Sequence, residues 1–438
     1  MAQTGCRPFP FPLTMLVMRS RIFPVFLFML SVSHMIFAGT TFRLQTVRVI
    51  GSHRFQEEDL ITSLGLKPGS NVDLDALKQA ADRLMQTGVI ASLEYKYTPL
   101  SSGIAVEYDV TDATGFLPCR YDNIVWIGSD DLTKAVHDKV PLFNGEAPTS
   151  GELLDQVSLA ISQVLVKSGV VSKVRYELHA RGINGPVDAI VFVSDTIKPK
   201  VQAITLTGAT LMTPQEKIEN TKRLIGDDYA ATRVHESLAT SLFFLYGNRG
   251  YLRAQVGEPE AKIVGDPLQA LVAVTVPVTE GAQYRLRAIT WSGNSVTPTA
   301  ELEKTTLLRP GEIVDHSKLD IALEAGQKVY KIKGYIAAKI QPVPSFSDED
   351  HTVSYQMKVT EGELFRMGDL HMTGLDQSAL DKLLKNWKLN RGDAYNGEYP
   401  KTFLKDNASL INGNGRAKTI KILQNPTPDK TVDVTLQF

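Results

Sequence analysis

Five short stretches of this chain hold mostly apolar or alternating residues and stop at a glycine. They are Val47 to Gly51, Ile124 to Gly128, Ala203 to Gly208, Ala288 to Gly293 and Leu370 to Gly374. Each reads as a strand bounded by a turn residue. Between them the period changes. Leu74, Leu77, Ala81, Leu84 and Met85 recur at three- and four-residue spacing, as do Leu154, Val157, Ile161 and Leu165, then Val234, Leu238, Leu242 and Leu245, and then Leu319, Leu323 and Tyr330. That spacing puts one apolar stripe along a helix. A shorter helix is predicted from Phe55 to Leu64, and Thr149 with Glu152 reads as a capping box opening the second long helix.

The glycines carry a longer period. Those ending the five strands lie 77, 80, 85 and 81 residues apart. A second glycine follows each after 17 or 18 residues: Gly69, Gly145, Gly226, Gly311 and Gly392. A third comes 19 to 24 residues later: Gly88, Gly169, Gly250, Gly334 and Gly415. Gly250-Tyr251-Leu252 and Gly334-Tyr335-Ile336 repeat a context, with Gly88-Val89-Ile90 and Gly169-Val170-Val171 as variants. The third glycine is expected to end the long helix in the left-handed conformation. Fixed offsets in successive units mark a tandem repeat.

After the third glycine two strands are expected. The first alternates, as in Leu93 to Tyr97 and Val174 to Leu178, and suits a sheet edge with one wet face. The second is apolar nearly throughout, as in Ala189 to Val193 and Ala270 to Val276, and suits the middle of a sheet. Four units close with an acid, in Val110-Thr111-Asp112, Val193-Ser194-Asp195, Val278-Thr279-Glu280-Gly281 and Val359-Thr360-Glu361-Gly362; the fifth closes with Val432 to Phe438. The expected fold is α+β: a tandem array of five βααββ units, each a three-stranded mixed sheet with two helices on one face.

The strand–glycine openings, the Leu308-Arg309-Pro310-Gly311 turn, the Gly334-Tyr335 exit and the Val359-Thr360-Glu361-Gly362 ending resemble the POTRA (polypeptide-transport-associated) domain. The resemblance runs from about residue 44 to 438 and places units at 40–115, 116–197, 198–281, 282–362 and 363–438. Five in series are similar to the periplasmic arm of outer-membrane barrel-assembly proteins. Members of that type continue into a membrane barrel, for which no sequence follows Phe438, and Phe438 itself reads as the end of a module strand. The resemblance implies a non-catalytic scaffold in the periplasm, exported and associated with the outer membrane through partners. Those partners would be unfolded outer-membrane proteins or barrel-assembly components, including a separately encoded barrel chain. An inner-membrane-anchored POTRA protein that binds cell-envelope or cell-division partners is the alternative.

The first residues bear on that choice. Arg19 and Arg21 precede an apolar run from Ile22 to Phe37, then Ala38 and Gly39. This is the order of a signal peptide over residues 1–39, with Met1 or Met18 as the start. Without it the chain keeps 44 basic and 48 acidic residues, so no basic footprint for nucleic acid exists. Of two cysteines, Cys6 leaves with the signal and Cys119 remains alone, so no internal disulfide can form.

No cofactor, metal or catalytic residue is expected. Asp348-Glu349-Asp350-His351 reads as a hairpin loop, and Asn412-Gly413-Asn414-Gly415 lacks the Gly-Lys-Ser/Thr of a phosphate loop. Trp126 and Trp291 occupy equivalent positions in first strands and are expected to pack.

The candidate sites are sheet edges that add a strand from another polypeptide. The expected edges are 93–97, 173–179, 252–256, 336–340 and 416–421. Their residues are Leu93, Tyr95, Tyr97, Val174, Tyr176, Leu178, Leu252, Ala254, Val256, Ile336, Ala338, Ile340, Lys418 and Ile420.

Overall fold

The computed structural model describes residues 41–180, 185–267, 269–411 and 419–438. The expected signal peptide, Asn412 to Gly415 and Lys418 lie outside the described residues.

In the first unit β1 (Phe42–Ile50), α1 (Glu57–Leu64), β2 (Asn71–Val72), α2 (Leu74–Gln86), β3 (Ile90–Leu100) and β4 (Gly103–Asp112) follow one another. The second has β5 (Leu117–Tyr121), α3 (Ser129–His137), β6 (Glu146–Ala147), α4 (Leu153–Lys167), β7 (Val174–Ala180) and β8 (Val187–Ser194). The third has β9 (Lys200–Thr207), α5 (Pro214–Thr221), α6 (Ala231–Gly247), β10 (Gln255–Val256), β11 (Glu260–Ile263) and β12 (Leu271–Thr279). The fourth has β13 (Arg285–Ser292), α7 (Thr299–Glu303), α8 (His316–Ile332), β14 (Lys339–Ser347) and β15 (Thr352–Thr360). The fifth has β16 (Arg366–Thr373), α9 (Gln377–Asn386), α10 (Tyr399–Asp406), α11 (Ala408–Ile411), β17 (Lys421–Pro426) and β18 (Thr431–Gln437).

The fold is α+β, with five small mixed sheets among the described residues. In each, the last strand lies in the middle, parallel to the first and antiparallel to the one before it. The apolar last strands earn that place by burial: Val272, Val274 and Val276 of β12 are almost wholly covered.

Two of the repeating glycines have one physical cause each. A Cβ on Gly51, Gly208, Gly293 or Gly374 would lie 2.2–2.3 Å from the carbonyl oxygen of Val110, Val278, Val359 or Phe438. The first strand leaves the sheet there by passing directly over the end of the last. The second glycine folds the chain back onto the start of the first strand. Gly69, Gly226, Gly311 and Gly392 donate to the carbonyls of Leu44, Val201, Leu286 and Met367 at 2.7–2.8 Å. The near-constant offset between the two glycines is the length of that circuit.

Three of the four closing acids serve the same corner. Asp112 accepts from Ser52 Oγ and the N–H groups of His53 and Arg54 at 2.8–3.1 Å. Glu280 accepts from Leu211 N–H at 2.8 Å and Tyr246 hydroxyl at 2.7 Å. Glu361 accepts from Val296 N–H at 2.8 Å and Tyr330 hydroxyl at 3.1 Å. Each carboxylate satisfies the loop that follows the first glycine.

The second unit departs from the expectation. Its first strand is Leu117–Tyr121, not Ile124 to Gly128, and Trp126 therefore lies in no strand. Buried Asn123 explains the early stop. Its amide accepts from Ser194 N–H at 2.7 Å and donates to Ser194 C=O at 2.9 Å, doing with a side chain what a strand does with its backbone. The chain then turns away: Val125 packs on the core of the third unit and Trp126 Nε1 donates to Pro267 C=O at 3.3 Å. The capping box at Thr149 and Glu152 is also absent. Helix α4 starts at Leu153 with Glu152 as its N-cap, without a side-chain cap. The N–H of Glu152 instead donates to Gln86 C=O of the first unit at 2.8 Å.

Candidate polypeptide-binding edges

Leu93, Tyr95 and Tyr97 lie in β3, whose outer side pairs with no strand among the described residues. Val174, Tyr176 and Leu178 lie in β7, the corresponding edge of the second sheet. Both strands lie at the edges of their sheets, and β3 is exposed at every position beyond Leu93. Both carry charges on the face away from the helices. Lys96 bridges to Glu107 on β4 at 2.8 Å; this contact raises the lysine pKa and lowers that of the carboxyl. Arg175 pairs with Glu177 beside it and with Asp195 at 2.7 Å. Charges of this kind blunt an open edge against indiscriminate pairing.

The later edges begin further along the chain than the sequence suggests. Val256 lies in β10 and Ile340 in β14, but Leu252, Ala254, Ile336 and Ala338 precede the strands. Ile420 immediately precedes β17, which starts at Lys421. For the third and fourth units the reason is the joint between units. Leu252 packs against the core of the fourth unit and Ile336 against that of the fifth. Tyr251 and Tyr335 cover their own cores. The Gly-Tyr-aliphatic exit is therefore a plug into the next unit. A backbone bond locks it, from Tyr284 N–H to Gly250 C=O at 2.8 Å and from Phe365 N–H to Gly334 C=O at 2.9 Å. Period-two alternation through these residues looks like a strand, and nothing local distinguishes it.

The joint between the second and third units has no plug. Val171, the equivalent residue, is 74% exposed. Polar contacts replace it. Asp122 accepts from Thr232 N–H and Oγ1, both at 2.8 Å, and so caps the start of α6 from the neighbouring unit. Burial raises the Asp122 pKa, partly offset by those two bonds. His179 bridges Asp188 at 2.9 Å and Glu236 of α6 at 3.1 Å, and the hydrogen bond to Asp188 leads in raising its pKa.

A cleft of about 850 Å³ opens beside this joint, between β11 and residues 124–131. Trp126, Tyr121 and Lys262 are among its walls. Among the described residues no three histidine, cysteine or acidic side chains are grouped to hold a metal ion. The Asp348 to His351 hairpin is part of a joint: Asp348 accepts from Arg253 at 2.8 Å and from Tyr284 hydroxyl at 2.6 Å. Hydrogen bonds from Ser347, Thr352 and Arg287 lower the Asp350 pKa to about 2. No helix among the described residues is long and apolar enough to cross a membrane.

Each of these sheets has its last strand central, and a plug at the exit joins the third unit to the fourth and the fourth to the fifth. Residues 284–362 match the POTRA family, described as a surface antigen variable number repeat. The chain is similar to outer-membrane assembly factors. A putative outer membrane protein assembly factor of Treponema pallidum is 28% identical over 153 residues, which are 34% of this chain and 18% of that protein. The outer membrane protein assembly factor BamA of Neisseria meningitidis is 25% identical over 130 residues, 30% of this chain and 16% of that protein. The chain thus matches under a fifth of the length of either relative. Among solved structures, POTRA domains 3–5 of Haemophilus influenzae BamA align at 23% identity over 55% of this chain and 96% of that one, with a TM-score of 0.41.

Proposed function

We propose that this protein is a non-catalytic polypeptide-binding scaffold of the periplasm that acts in outer-membrane protein assembly or transport. It is divided into modules at 40–115, 116–197, 198–281, 282–362 and 363–438, behind a signal peptide at 1–39. Its clients are unfolded outer-membrane proteins, and barrel-assembly components tie it to the outer membrane. It binds clients by adding their strands to its open sheet edges. The unpaired outer side of β3, exposed along most of its length, carries this reading. Backbone hydrogen bonds at such an edge supply affinity with little demand on sequence, as a carrier of many clients requires. The names of the Treponema and Neisseria relatives support the setting.

The test is binding of an outer-membrane strand peptide and its N-methylated copy to the full chain, measured calorimetrically. Methylation removes main-chain donors and leaves the side chains. Affinity is expected to fall at least about tenfold, from losing one or more backbone bonds. Equal binding of the two peptides refutes strand addition.

A further inference from the structure

The open edges of these sheets differ in one chemical respect, the placement of proline. In an antiparallel pair, alternate residues of the outer strand direct both N–H and C=O toward the partner, and the residues between direct both outward. A proline in an unbroken pair has no N–H to give and so occupies an outward position.

In β3, Pro99 pairs with Ile104 in a register without shifts from Ser92 to Leu100. Leu93, Tyr95 and Tyr97 share its phase and therefore turn their N–H and C=O outward. The turn agrees, since Leu100 and Gly103 flank two residues and close the hairpin as a hydrogen-bonded pair. Among the described residues, three successive outward donors along β3 thus have no strand partner.

Strand β14 has the same place in the fourth unit and a different sequence. Pro342 pairs with Met357 and Pro344 with Tyr355, again without a register shift. Its outward positions are Ile340, Pro342, Pro344 and Phe346, and the middle two have no N–H. The ladder to β15 is complete, while an arriving strand would lose two adjacent bonds. In the third unit Pro277 lies in the central strand itself, and the edge breaks opposite it into β10 and β11. Gly257 N–H donates to Pro277 C=O at 2.7 Å across that break. In the second unit Val174 N–H already donates to Ser162 Oγ at 3.1 Å.

We propose that client strands add at β3, through Leu93, Tyr95 and Tyr97, and that Pro342 and Pro344 close the equivalent edge of the fourth unit. This rests on the strand-addition reading above and assigns it a place. The recognised segment alternates apolar and polar side chains. Tyr95 lies on the helix side of the sheet, its ring 5.3 Å from that of buried Tyr108, whose hydroxyl donates to Leu77 C=O in α2. Tyr97 follows on the same side, and exposed Leu74 and Met85 lie on α2, the helix that β3 runs beside. An added strand meets this apolar shelf with one face and the Glu94 and Lys96 side with the other. Such alternation is that of a membrane-barrel strand.

The test uses the full chain and a synthetic peptide of about ten residues, the length of a barrel strand, alternating leucine or tyrosine with threonine or lysine. Hydrogen–deuterium exchange read by mass spectrometry locates the peptide. Slowed exchange is expected at 92–99 and not at 340–346. Tyr97→Pro removes one outward donor without touching the ladder and should weaken binding about tenfold, while Tyr97→Phe should not. Pro342→Val with Pro344→Val should create protection at 340–346, whatever Tyr97→Pro does to folding of the first unit. Protection at 340–346 in the unaltered chain overturns the assignment, as does undiminished binding by a folded Tyr97→Pro variant. Protection at β7 or β17 in place of β3 also overturns it and leaves strand addition standing. Protection at no edge, even with both prolines replaced, refutes strand addition itself.

Discussion

Gly293→Ala tests the physical basis of the repeat. Gly293 sits at φ +79°, and an added Cβ would lie 2.2 Å from the carbonyl oxygen of Val359. An L residue in the left-handed region costs about 1–2 kcal/mol by itself. The contact is with backbone, so it is relieved only by parting β13 from β15 near the Ser292–Lys358 pair. Losing one or two ladder bonds there adds about 1 kcal/mol each. The expected total is about 3 kcal/mol. Gly311→Ala is the control: φ is +90° and nothing lies within 4 Å of the added carbon, so only the conformational cost of about 1–2 kcal/mol applies. Since a chain of several units need not unfold in one step, the readout is local. Hydrogen exchange of the β13 and β15 amides under native conditions gives the opening free energy of that sheet for each variant. Equal losses for the two alanines would show that the passage over Val359 is not what excludes a side chain.

Other expectations concern the joints and the loop staple. Burial lowers the pKa of His316 below 6.5; the ring lies tilted against Phe243 with centroids 4.7 Å apart, and among the described residues its buried Nδ1 has no hydrogen-bond partner. A base depressed in the folded state gives stability above its unfolded pKa that is lost as pH falls toward the folded value. The opening free energy read from exchange at 243–251 and 314–321, corrected for intrinsic exchange rates, should therefore fall on acidification below about 6.5, and His316→Phe should remove the dependence. His179 has the opposite sign: its partners Asp188 and Glu236 raise its pKa above 6.5, so its contribution is complete below that pH and lost as pH rises through the folded value. His179→Gln should remove the His179-linked pH dependence of the opening free energy at the start of α6, read from exchange corrected for intrinsic rates. Glu280→Ala leaves Leu211 N–H and the buried Tyr246 hydroxyl without their acceptor, and should lower the opening free energy of the third sheet, read by native-state hydrogen exchange, by about 2 kcal/mol. A loss below about 0.5 kcal/mol would contradict the staple.

The repeat was legible in the sequence because its glycines answer to local geometry. A chain that crosses over a carbonyl at Gly293 or turns at positive φ at Gly311 admits almost no other residue, and that restriction is visible in one unit at a time. The long helices and central strands were legible for the same reason, since helical and sheet periods mark faces within a few residues of one another. The edges at β3 and β7 followed from alternation alone.

Tertiary structure decided the rest. Leu252 and Ile336 continue an alternating pattern, yet the neighbouring unit claims them as plugs, and a distant core leaves no mark on local period. Asn123 ends a strand early because a backbone group 71 residues away is presented to its amide. The prolines of β14 were in plain view, but whether a proline faces inward or outward depends on register, which exists only once two strands have paired. Sequence determined the units and their turns, where the constraint lies within the segment. The joints, and which backbone groups stay free, came from packing between segments far apart in the chain.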